Sequence, residues 1–429
     1  MLAAVSTPPF TSSHQATAVS RDRGDACPGA LRLHAADDGA LARVRVPGGV
    51  LRVDQARTLG LAARELGDGE LHLTSRGNVQ LRGLETGCGG ELAARLEAAG
   101  LLPSWRHERM RNIVASPLSG LDGRGRADVR PWLRALDELV CASESAARLS
   151  GRFLFALDDG RGDVAGLGAD VSLQAAAQGG AWLRVGASGI GAVVSREDAP
   201  RAALLAAEIF LELSAGRVWR VAELPIAADE LMEQVVRRLR TRKITLPSAP
   251  PATGRPAPGV VIGPGGTTSL SVLAPLGRLT DAQWTEVTAT ASGELRLTPW
   301  RGVVLPAAPA DRLPGLGAAG LITTPDSPWL GVGACIGRPG CARSGSDVRT
   351  DAATALGTGG GLPAYWSGCE RRCGRPSGDH VELVATPTDD SGNGYRISVV
   401  RDGRVRPIAT TDTSSGLAAT LAAARTHDQ

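Results

Sequence analysis

Short stretches of alternating and helical hydrophobicity succeed one another along the chain. Apolar and charged residues alternate from Leu41 to Val46, as in a half-buried strand, and Leu71 to Leu73 alternates in the same way. Between them, Val53 to Leu66 has the apolar spacing of a helix. These patterns predict a unit in which one helix connects two strands.

This unit occurs twice. The segment Gly69–Thr74 (GELHLT) returns as Gly293–Thr298 (GELRLT), and Arg76-Gly77 returns as Arg301-Gly302. Such internal similarity predicts two structurally related halves.

After an intervening stretch, the sequence similarity between the two halves resumes at Leu101 and Leu321. Counting fourteen residues onward from each places Cys335 opposite Ala115. We therefore expect equivalent loops in the two halves, one of which carries a cysteine.

The remaining patterns predict α/β domains. Helical spacing occurs at Val129–Leu149, Arg201–Leu213 and Asp229–Leu239, and strand patterns at Arg152–Leu157, Trp182–Val185, Val381–Ala385 and Tyr395–Val400. Turn signals stand at Asn393-Gly394 and Asp402-Gly403. The proline-rich segment Leu246–Gly259 is predicted to be a linker, since proline continues neither a helix nor a central strand.

The charge balance limits the kinds of partner. The 429 residues include 47 Lys or Arg and 44 Asp or Glu, a formal net charge of +3. This balance offers no basic stripe for a phosphate backbone, so we expect no nucleic-acid partner. No apolar run is long enough for a membrane span, and the first residues lack the apolar core of a signal peptide. We expect a cytoplasmic protein without membrane association.

Four of the seven cysteines lie close together late in the chain. Five residues separate Cys335 from Cys341, three separate Cys369 from Cys373, and glycine and proline surround both pairs. Four thiolates suit a cubane iron–sulfur cluster, because soft sulfur ligands match iron–sulfur units. A structural zinc ion, whose paired ligands are usually closer in sequence, and a set of unrelated buried cysteines are the alternatives.

These two cysteine pairs, on a chain with two repeated units, resemble the sirohaem-dependent nitrite and sulfite reductases from Cys27 to about Arg406. The resemblance implies an α+β (α/β) fold, with two ferredoxin-like half-domains and two α/β domains that bind the cluster and a tetrapyrrole. It also implies that Cys335, Cys341, Cys369 and Cys373 hold a 4Fe-4S cluster, the last cysteine bridging to the sirohaem iron.

The expected domains follow from the repeat, the linker and the cysteine region. They are a flexible N-terminal tail (1–26), a first ferredoxin-like half-domain (27–105), a first α/β domain (106–245), the linker (246–259), a second half-domain (260–327), the 4Fe-4S-binding α/β domain (328–410) and a C-terminal tail (411–429).

Two segments resemble the parts of the reductases that face the macrocycle. Leu73–Gln80 resembles a Thr-x-Arg-x-x-x-Gln segment, and Arg111–Val114 resembles an Arg-Asn-Val signature. The resemblance implies that Arg76, Arg111 and Asn112 bind the tetrapyrrole, whose carboxylates suit guanidinium groups. For any one arginine in an arginine-rich chain, the alternative is a solvated surface charge.

One position departs from the reductases. Arg152 and Leu154 stand where the reductases have two lysines that bind and protonate their anion. Arg152 keeps the charge, and we expect it to contact the tetrapyrrole. Leucine offers neither charge nor proton, which disfavours the reduction of nitrite or sulfite.

The segments Phe153–Gly160 and Gly293–Leu305 resemble a branch of the superfamily that acts in aerobic cobalamin biosynthesis. That resemblance implies a monooxygenase that hydroxylates precorrin-3A at carbon 20 and closes a γ-lactone, with dioxygen and electrons from NADH. It further implies a mononuclear non-haem iron beside the cluster, an electron-donor protein and a monomeric enzyme. A sirohaem-dependent reductase and a non-catalytic electron carrier are the alternatives.

The mononuclear iron would be expected to take two histidines and one carboxylate. His107, beside Glu108, and His380, beside Asp379, are the candidates. The alternative for each is a hydrogen-bonded or solvated histidine. Arg375 stands where the branch often has histidine, and guanidinium does not coordinate a metal.

Overall fold

The computed structural model describes residues 25, 27–246, 254–357, 360–376, 378–387, 393–412 and 416–426. Most of the predicted N-terminal tail and residues 247–253 of the predicted linker lie outside these ranges. No helix in the described part of the chain is long and apolar enough to cross a lipid bilayer.

The described residues form strands and helices that alternate along the chain. The helices are α1 (Val53–Leu66), α2 (Gly89–Ala98), α3 (Arg130–Ala142), α4 (Ala199–Ser214), α5 (Ala228–Leu239), α6 (Asp281–Thr290), α7 (Leu313–Ala318), α8 (Val348–Thr354) and α9 (Leu417–Thr426). The strands of the first half are β1 (His34–Ala36), β2 (Gly39–Val44), β3 (Val50–Arg52), β4 (Leu71–Leu73), β5 (Val79–Leu84), β6 (Ile113–Ala115), β7 (Phe155–Asp158), β8 (Val171–Ala175), β9 (Ala181–Val185), β10 (Ile190–Val194) and β11 (Lys243–Thr245). Those of the second half are β12 (Gly259–Ile262), β13 (Thr268–Leu273), β14 (Arg278–Leu279), β15 (Glu294–Leu297), β16 (Gly302–Leu305), β17 (Val332–Ala334), β18 (Ala364–Ser367), β19 (His380–Pro387), β20 (Asn393–Arg401) and β21 (Arg404–Asp412).

The two repeated units exchange strands. One antiparallel sheet has the order β1-β2-β5-β4-β14, and the other has the order β12-β13-β16-β15-β3. Strand β14 of the second unit pairs with β4 of the first, and β3 of the first pairs with β15 of the second. Between them, Trp284 of α6 is buried and donates from its indole nitrogen to the carbonyl of Ala56 on α1 at 2.7 Å. The two half-domains therefore share one hydrophobic core.

Two further sheets make up the α/β domains. The first has the order β11-β10-β9-β8-β7-β6, with β6, β7 and β8 parallel; the second has the order β17-β18-β19-β20-β21, with β17, β18 and β19 parallel. In both sheets the strands after the parallel set pair antiparallel. The repeat therefore extends beyond the half-domains into both α/β domains.

Strand pairing corrects the alignment of the halves by one residue. Leu73 pairs with Val79 and Leu297 with Val303, so the intervening loops are equally long. Arg301 consequently corresponds to Gly77 rather than to Arg76, and the two residues share positive φ values of 60° and 67°.

The alignment of the cysteine-bearing loop with its counterpart in the first half is also corrected by one residue. The amide of Cys335 donates to the carbonyl of Trp366 at 2.9 Å, and the amide of Ser116 donates to the carbonyl of Leu157 at 3.0 Å. Since both residues directly follow the first parallel strand of their sheet, Cys335 corresponds to Ser116 and not to Ala115.

Two smaller predictions about the C-terminal region are wrong. Asn393-Gly394 begins β20 instead of forming a turn, whereas Asp402-Gly403 does turn, with φ values of 48° and 74°. The predicted tail includes α9, because Leu417 and Leu421, one turn apart, are buried against the last sheet.

Candidate functional site

Three of the predicted cluster cysteines meet at one edge of the last sheet. Cys335 directly follows β17, and Cys369 and Cys373 lie on the loop after β18. Because these strands are parallel neighbours, their carboxyl ends open at the same edge. The amide of Gly368 donates to Cys335 Sγ at 3.2 Å. Burial raises the pKa of the Cys335 thiol, and the neighbouring Cys373 and Cys369 raise it further.

The loop that carries Cys341 is anchored on the first half-domain. Arg82 forms a bidentate ion pair with Asp38, both contacts at 2.8 Å, and donates to the carbonyl of Gly340 at 3.1 Å. Asp37 accepts from the amide of Ala342 at 2.6 Å. These contacts place Cys341 within the same loop system as Cys335, but none of them joins its thiol directly to the other three.

The donor set fits an iron–sulfur cluster. Cys335, Cys369 and Cys373 lie on two neighbouring loops at one edge of the last sheet, and Cys341 lies on the loop that begins at Cys335. Soft thiolates with a backbone N–H already aimed at one of them suit a cubane.

The thiol of Cys373 belongs to an exposed residue, whereas the other three cysteines are partly buried. Its backbone is held by the buried Tyr365, whose hydroxyl donates to the Cys373 carbonyl at 2.7 Å. A group bound at this edge would therefore be most accessible on the Cys373 side.

A group of arginines lies next to the predicted tetrapyrrole contacts in the first half. Arg45 is only 3% exposed, donates from Nε to the carbonyl of Arg109 at 3.1 Å, and has no hydrogen-bond partner for one terminal nitrogen. Burial, and then the charge of Arg43, lower the pKa of Arg45 to about 9. Burial and the charge of Arg220 lower the pKa of Arg76 to about 10. This concentration of buried positive charge suits an anionic ligand.

The sequence prediction missed Arg43 and Arg45. The available signal was two arginines alternating with valine in a segment that otherwise reads as a buried strand, since a charge on a buried face is rarely left without purpose. Arg76, which was predicted, does belong to the group: it and Arg45 both reach the carbonyl of Gly151 at 3.5 Å.

Arg111, which was predicted to bind the tetrapyrrole, is hydrogen-bonded within the protein. Its guanidinium forms a bidentate ion pair with Asp137, at 2.8 and 2.7 Å, and donates to the carbonyl of Leu101 at 2.9 Å. The residue is 5% exposed. Arg111 therefore ties α3 to the end of the first half-domain, because all three guanidinium nitrogens already have protein acceptors.

Asn112, also predicted to bind the tetrapyrrole, is an interior residue. Its amide nitrogen donates to the carbonyl of Gly151, and its amide oxygen accepts from Asn78 at 3.0 Å. Arg152, in contrast, is exposed, and its guanidinium lies 4.8 Å from the centre of the Trp219 ring. Arg152 stays a predicted substrate contact, with its planar group held against an aromatic face.

The two histidines proposed for a mononuclear iron have different surroundings. Both ring nitrogens of His107 have protein partners, Ser104 Oγ at 2.7 Å and the carbonyl of Ser143 at 2.8 Å, which is the arrangement of a hydrogen-bonded interior histidine. His380 is 1% exposed; Nδ1 contacts the carbonyl of Gly378 at 2.7 Å, and Nε2 has no partner. No group of two histidines and one carboxylate comes together within the ranges described.

The first half carries a buried acidic group at the position that corresponds to the thiols. The amide of Asp159 donates to Ser116 Oγ at 3.0 Å, which is the counterpart of the contact between Gly368 and the Cys335 thiol. The same hydroxyl donates to Asp163 at 2.6 Å, and Arg161 pairs with Asp159 at 2.7 Å. Burial raises the pKa of Asp163 to about 7. Buried carboxylates of the protein, with Arg161 beside them, thus occupy the place that corresponds to the thiols.

Leu154 lies in a small apolar cluster with Val164 and Ala156, and Trp300 from the second half packs against it. Its side chain is buried. The position at which the reductases carry a proton-donating lysine is therefore dry and apolar in this chain.

Comparisons with known proteins agree with this architecture. The sequence profile of the nitrite/sulfite reductase ferredoxin-like half domain matches residues 34–99 and 262–319, within the two predicted half-domains. The solved structure of the Mycobacterium tuberculosis NirA protein superimposes with a TM-score of 0.71, at 20% identity, over 87% of this chain and 78% of that one. The chain thus contains two segments similar to the nitrite/sulfite reductase ferredoxin-like half domain, and its fold is similar to that of the NirA protein.

One of the sequence similarities extends along nearly the whole chain. The chain is 28% identical to a precorrin-3B synthase from Sinorhizobium, over 95% of this chain and 89% of that protein. It is 34% identical to the ferredoxin–nitrite reductase of Synechococcus elongatus over 28% of this chain and 25% of that protein, and 34% identical to the chloroplast enzyme of Spinacia oleracea over 24% and 17%. The similarity to nitrite reductases is thus confined to part of the chain.

Proposed function

We propose that this protein is a precorrin-3B synthase, a monooxygenase that converts precorrin-3A to precorrin-3B. Dioxygen supplies one oxygen atom to carbon 20, and the other is reduced to water by two electrons from NADH and two protons. The observation that carries the proposal is the full-length similarity to a precorrin-3B synthase, set beside similarities to nitrite reductases that cover a quarter of the chain.

The first support is the thiol set. Cys335, Cys341, Cys369 and Cys373 would hold a 4Fe-4S cluster, which supplies single-electron transfer. The protein's own part is to present Cys335 to the amide of Gly368, to keep three thiols partly buried and to leave Cys373 exposed toward the substrate.

The second support is the arginine group. Arg45 keeps a buried guanidinium nitrogen without a protein acceptor, the partly buried Arg76 lies close to it, and Arg152 adds a cation 4.8 Å from the centre of the Trp219 ring. Precorrins carry several carboxylates, and bidentate guanidinium contacts would fix the ring orientation. A polycarboxylated substrate would also satisfy the free nitrogen of Arg45.

The third support separates this reaction from anion reduction. Reduction of nitrite or sulfite needs several protons at the reacting atom, which the reductases deliver through lysine. Leu154 provides none, and it is packed among Val164, Ala156 and Trp300. Excluding water from this wall suits the oxygenation of an organic ring, because a dry site suppresses side reactions.

The remaining expectations stay part of the proposal. The electrons would come from NADH through a donor protein, the enzyme would act as a cytoplasmic monomer, and a mononuclear non-haem iron would complete the oxygenation site. Of the two predicted histidines, only His380 keeps a ring nitrogen without a protein partner.

The test uses the full-length protein purified without oxygen. We expect four irons and four sulfides for the cluster, a broad visible spectrum without sharp macrocycle bands, and conversion of precorrin-3A to a product heavier by one oxygen atom. Turnover should stop when dioxygen is withheld. Tightly bound sirohaem with nitrite or sulfite turnover would overturn the proposal in favour of the reductase, and a zinc content with no iron would overturn the cluster assignment.

A further inference from the structure

Arg301 adopts a backbone conformation that ordinarily belongs to glycine. Its φ is 60°, and the equivalent residue of the first half, Gly77, has a φ of 67°. An L side chain meets its own carbonyl in this region, so glycine is the favourable choice. The second half accepts this strain while carrying one of the longest side chains, which points to a role for that side chain.

The Arg301 side chain runs through a groove cleared by three glycines from separate segments. A Cβ at Gly277 would lie 2.5 Å from Arg301 Cδ, one at Gly333 would lie 3.2 Å from a terminal nitrogen, and one at Gly374 would lie 3.6 Å from the other. The groove leads from the half-domain to the residue directly after Cys373. The strained backbone and the three glycines together aim this guanidinium at the thiol edge.

Beside the thiols, the guanidinium carries an uncompensated charge. It lies 5.9 Å from the centre of the Tyr365 ring, and its hydrogen bond and charge oppose the burial that raises the Tyr365 pKa. Tyr365 in turn holds the Cys373 carbonyl. Among the residues that the structure describes, no carboxylate forms an ion pair with Arg301.

We propose that Arg301 is a positioning residue whose cation raises the reduction potential of the cluster on Cys335, Cys369 and Cys373. Reduction adds a negative charge to the cluster, and a cation held beside it stabilises that charge more than it stabilises the oxidised form. The proposal rests on the proposed function, because it presumes that the thiols hold a cluster.

The test is a redox titration of the full-length protein, followed by paramagnetic resonance of the reduced cluster, together with iron and sulfide analysis. We expect Arg301→Gln to lower the potential by an amount equivalent to at least a tenfold change in the ratio of reduced to oxidised cluster, about 59 mV for one electron. Arg301→Lys should keep most of the potential. The control, Arg371→Gln, removes an exposed arginine between two cluster cysteines, and water should screen its effect.

A second neutral variant separates charge from backbone strain. Arg301→Gly removes the charge and relieves the strain, so we expect it to fold, to keep its cluster and to show the same lowered potential as Arg301→Gln. An unchanged potential in either variant with a full complement of iron and sulfide would overturn the proposal while leaving the proposed function intact. A wild-type protein without iron would overturn both.

Discussion

Replacing Arg45 by methionine should stabilise the free protein while weakening its hold on a carboxylated ring. Arg45 is charged in both the folded and the unfolded chain at pH 7, but burial lowers its folded pKa from 12.5 to about 9. A depression of that size costs about 5 kcal/mol at 1.36 kcal/mol per pKa unit. The folded protein therefore bears a large penalty at this position when no anion is bound.

The loss of hydrogen bonds in the methionine variant offsets part of this gain in stability. Methionine leaves the carbonyl of Arg109 without its donor, at about 1 to 3 kcal/mol for a buried group that loses its partner, whereas the carbonyl of Gly151 keeps Asn112 and Arg76 as donors. We expect a net gain of about 2 to 4 kcal/mol in the free energy of unfolding, within the range for apolar replacement of buried charge.

Urea unfolding at pH 7, followed by circular dichroism, measures the free energy of unfolding for wild type, Arg45→Met and Arg45→Lys. A folded pKa below the unfolded one means that the wild type gains stability as pH rises through about 9, so its difference from Arg45→Met should shrink at pH 10. Binding of uroporphyrin, an anionic tetrapyrrole, should weaken at least tenfold in Arg45→Met and less in Arg45→Lys. A methionine variant that is less stable than wild type and binds uroporphyrin equally well would refute the reasoning.

Three further variants test other parts of the site. Cys373→Ser should lose the cluster, because a cubane with three thiolates is labile, whereas Cys141→Ser, on α3 and far from the loop in sequence, should keep it; four irons per chain in Cys373→Ser would contradict the assignment. Asp163 has a folded pKa of about 7 against 3.8 unfolded, so the stability of the wild type should fall as the pH rises from about 4 to 7, by up to about 4 kcal/mol. Urea unfolding should therefore give a lower free energy of unfolding at pH 8 than at pH 5. Asp163→Asn should remove most of this difference. Arg111→Met should lower the free energy of unfolding by about 2 to 4 kcal/mol, since it leaves the Asp137 carboxylate half of a broken ion pair, while uroporphyrin affinity in the folded protein stays unchanged; a tenfold loss of affinity would return Arg111 to the binding site.

Local periodicity was sufficient to predict individual elements. Val53–Leu66 and Leu71–Leu73 were predicted with the bounds that α1 and β4 have in the structure. Both segments have regularly spaced apolar residues that are buried in the structure, and this spacing is visible in the sequence. The exchange of β3 and β14 was not predictable in this way, since a strand of two or three residues carries almost no pattern and its partner lies more than two hundred residues away.

The arginines show why residue roles are harder to predict than elements. Arg111 sits in a segment that resembles a macrocycle-binding signature, yet its partner Asp137, 26 residues away on α3, occupies the guanidinium. Arg45 lies in no such signature, and its role is indicated by its burial with one terminal nitrogen left without an acceptor. The sequence shows which side chains are able to bind a carboxylate. Whether a carboxylate of the protein itself already pairs with them depends on the fold.

The same backbone contact has different outcomes in the two halves. An amide at the start of the loop after the second parallel strand donates to Ser116 Oγ in the first half and to Cys335 Sγ in the second. In the first half the same hydroxyl donates to Asp163, while Arg161 pairs with Asp159 and lies 3.8 Å from Asp163. In the second half the acceptor is a soft thiol whose neighbours are other thiols, and the guanidinium of Arg301 lies nearby. The first half thus fills this place with carboxylates of the protein and an arginine, whereas the second half presents soft thiols of the kind that bind an iron–sulfur cluster.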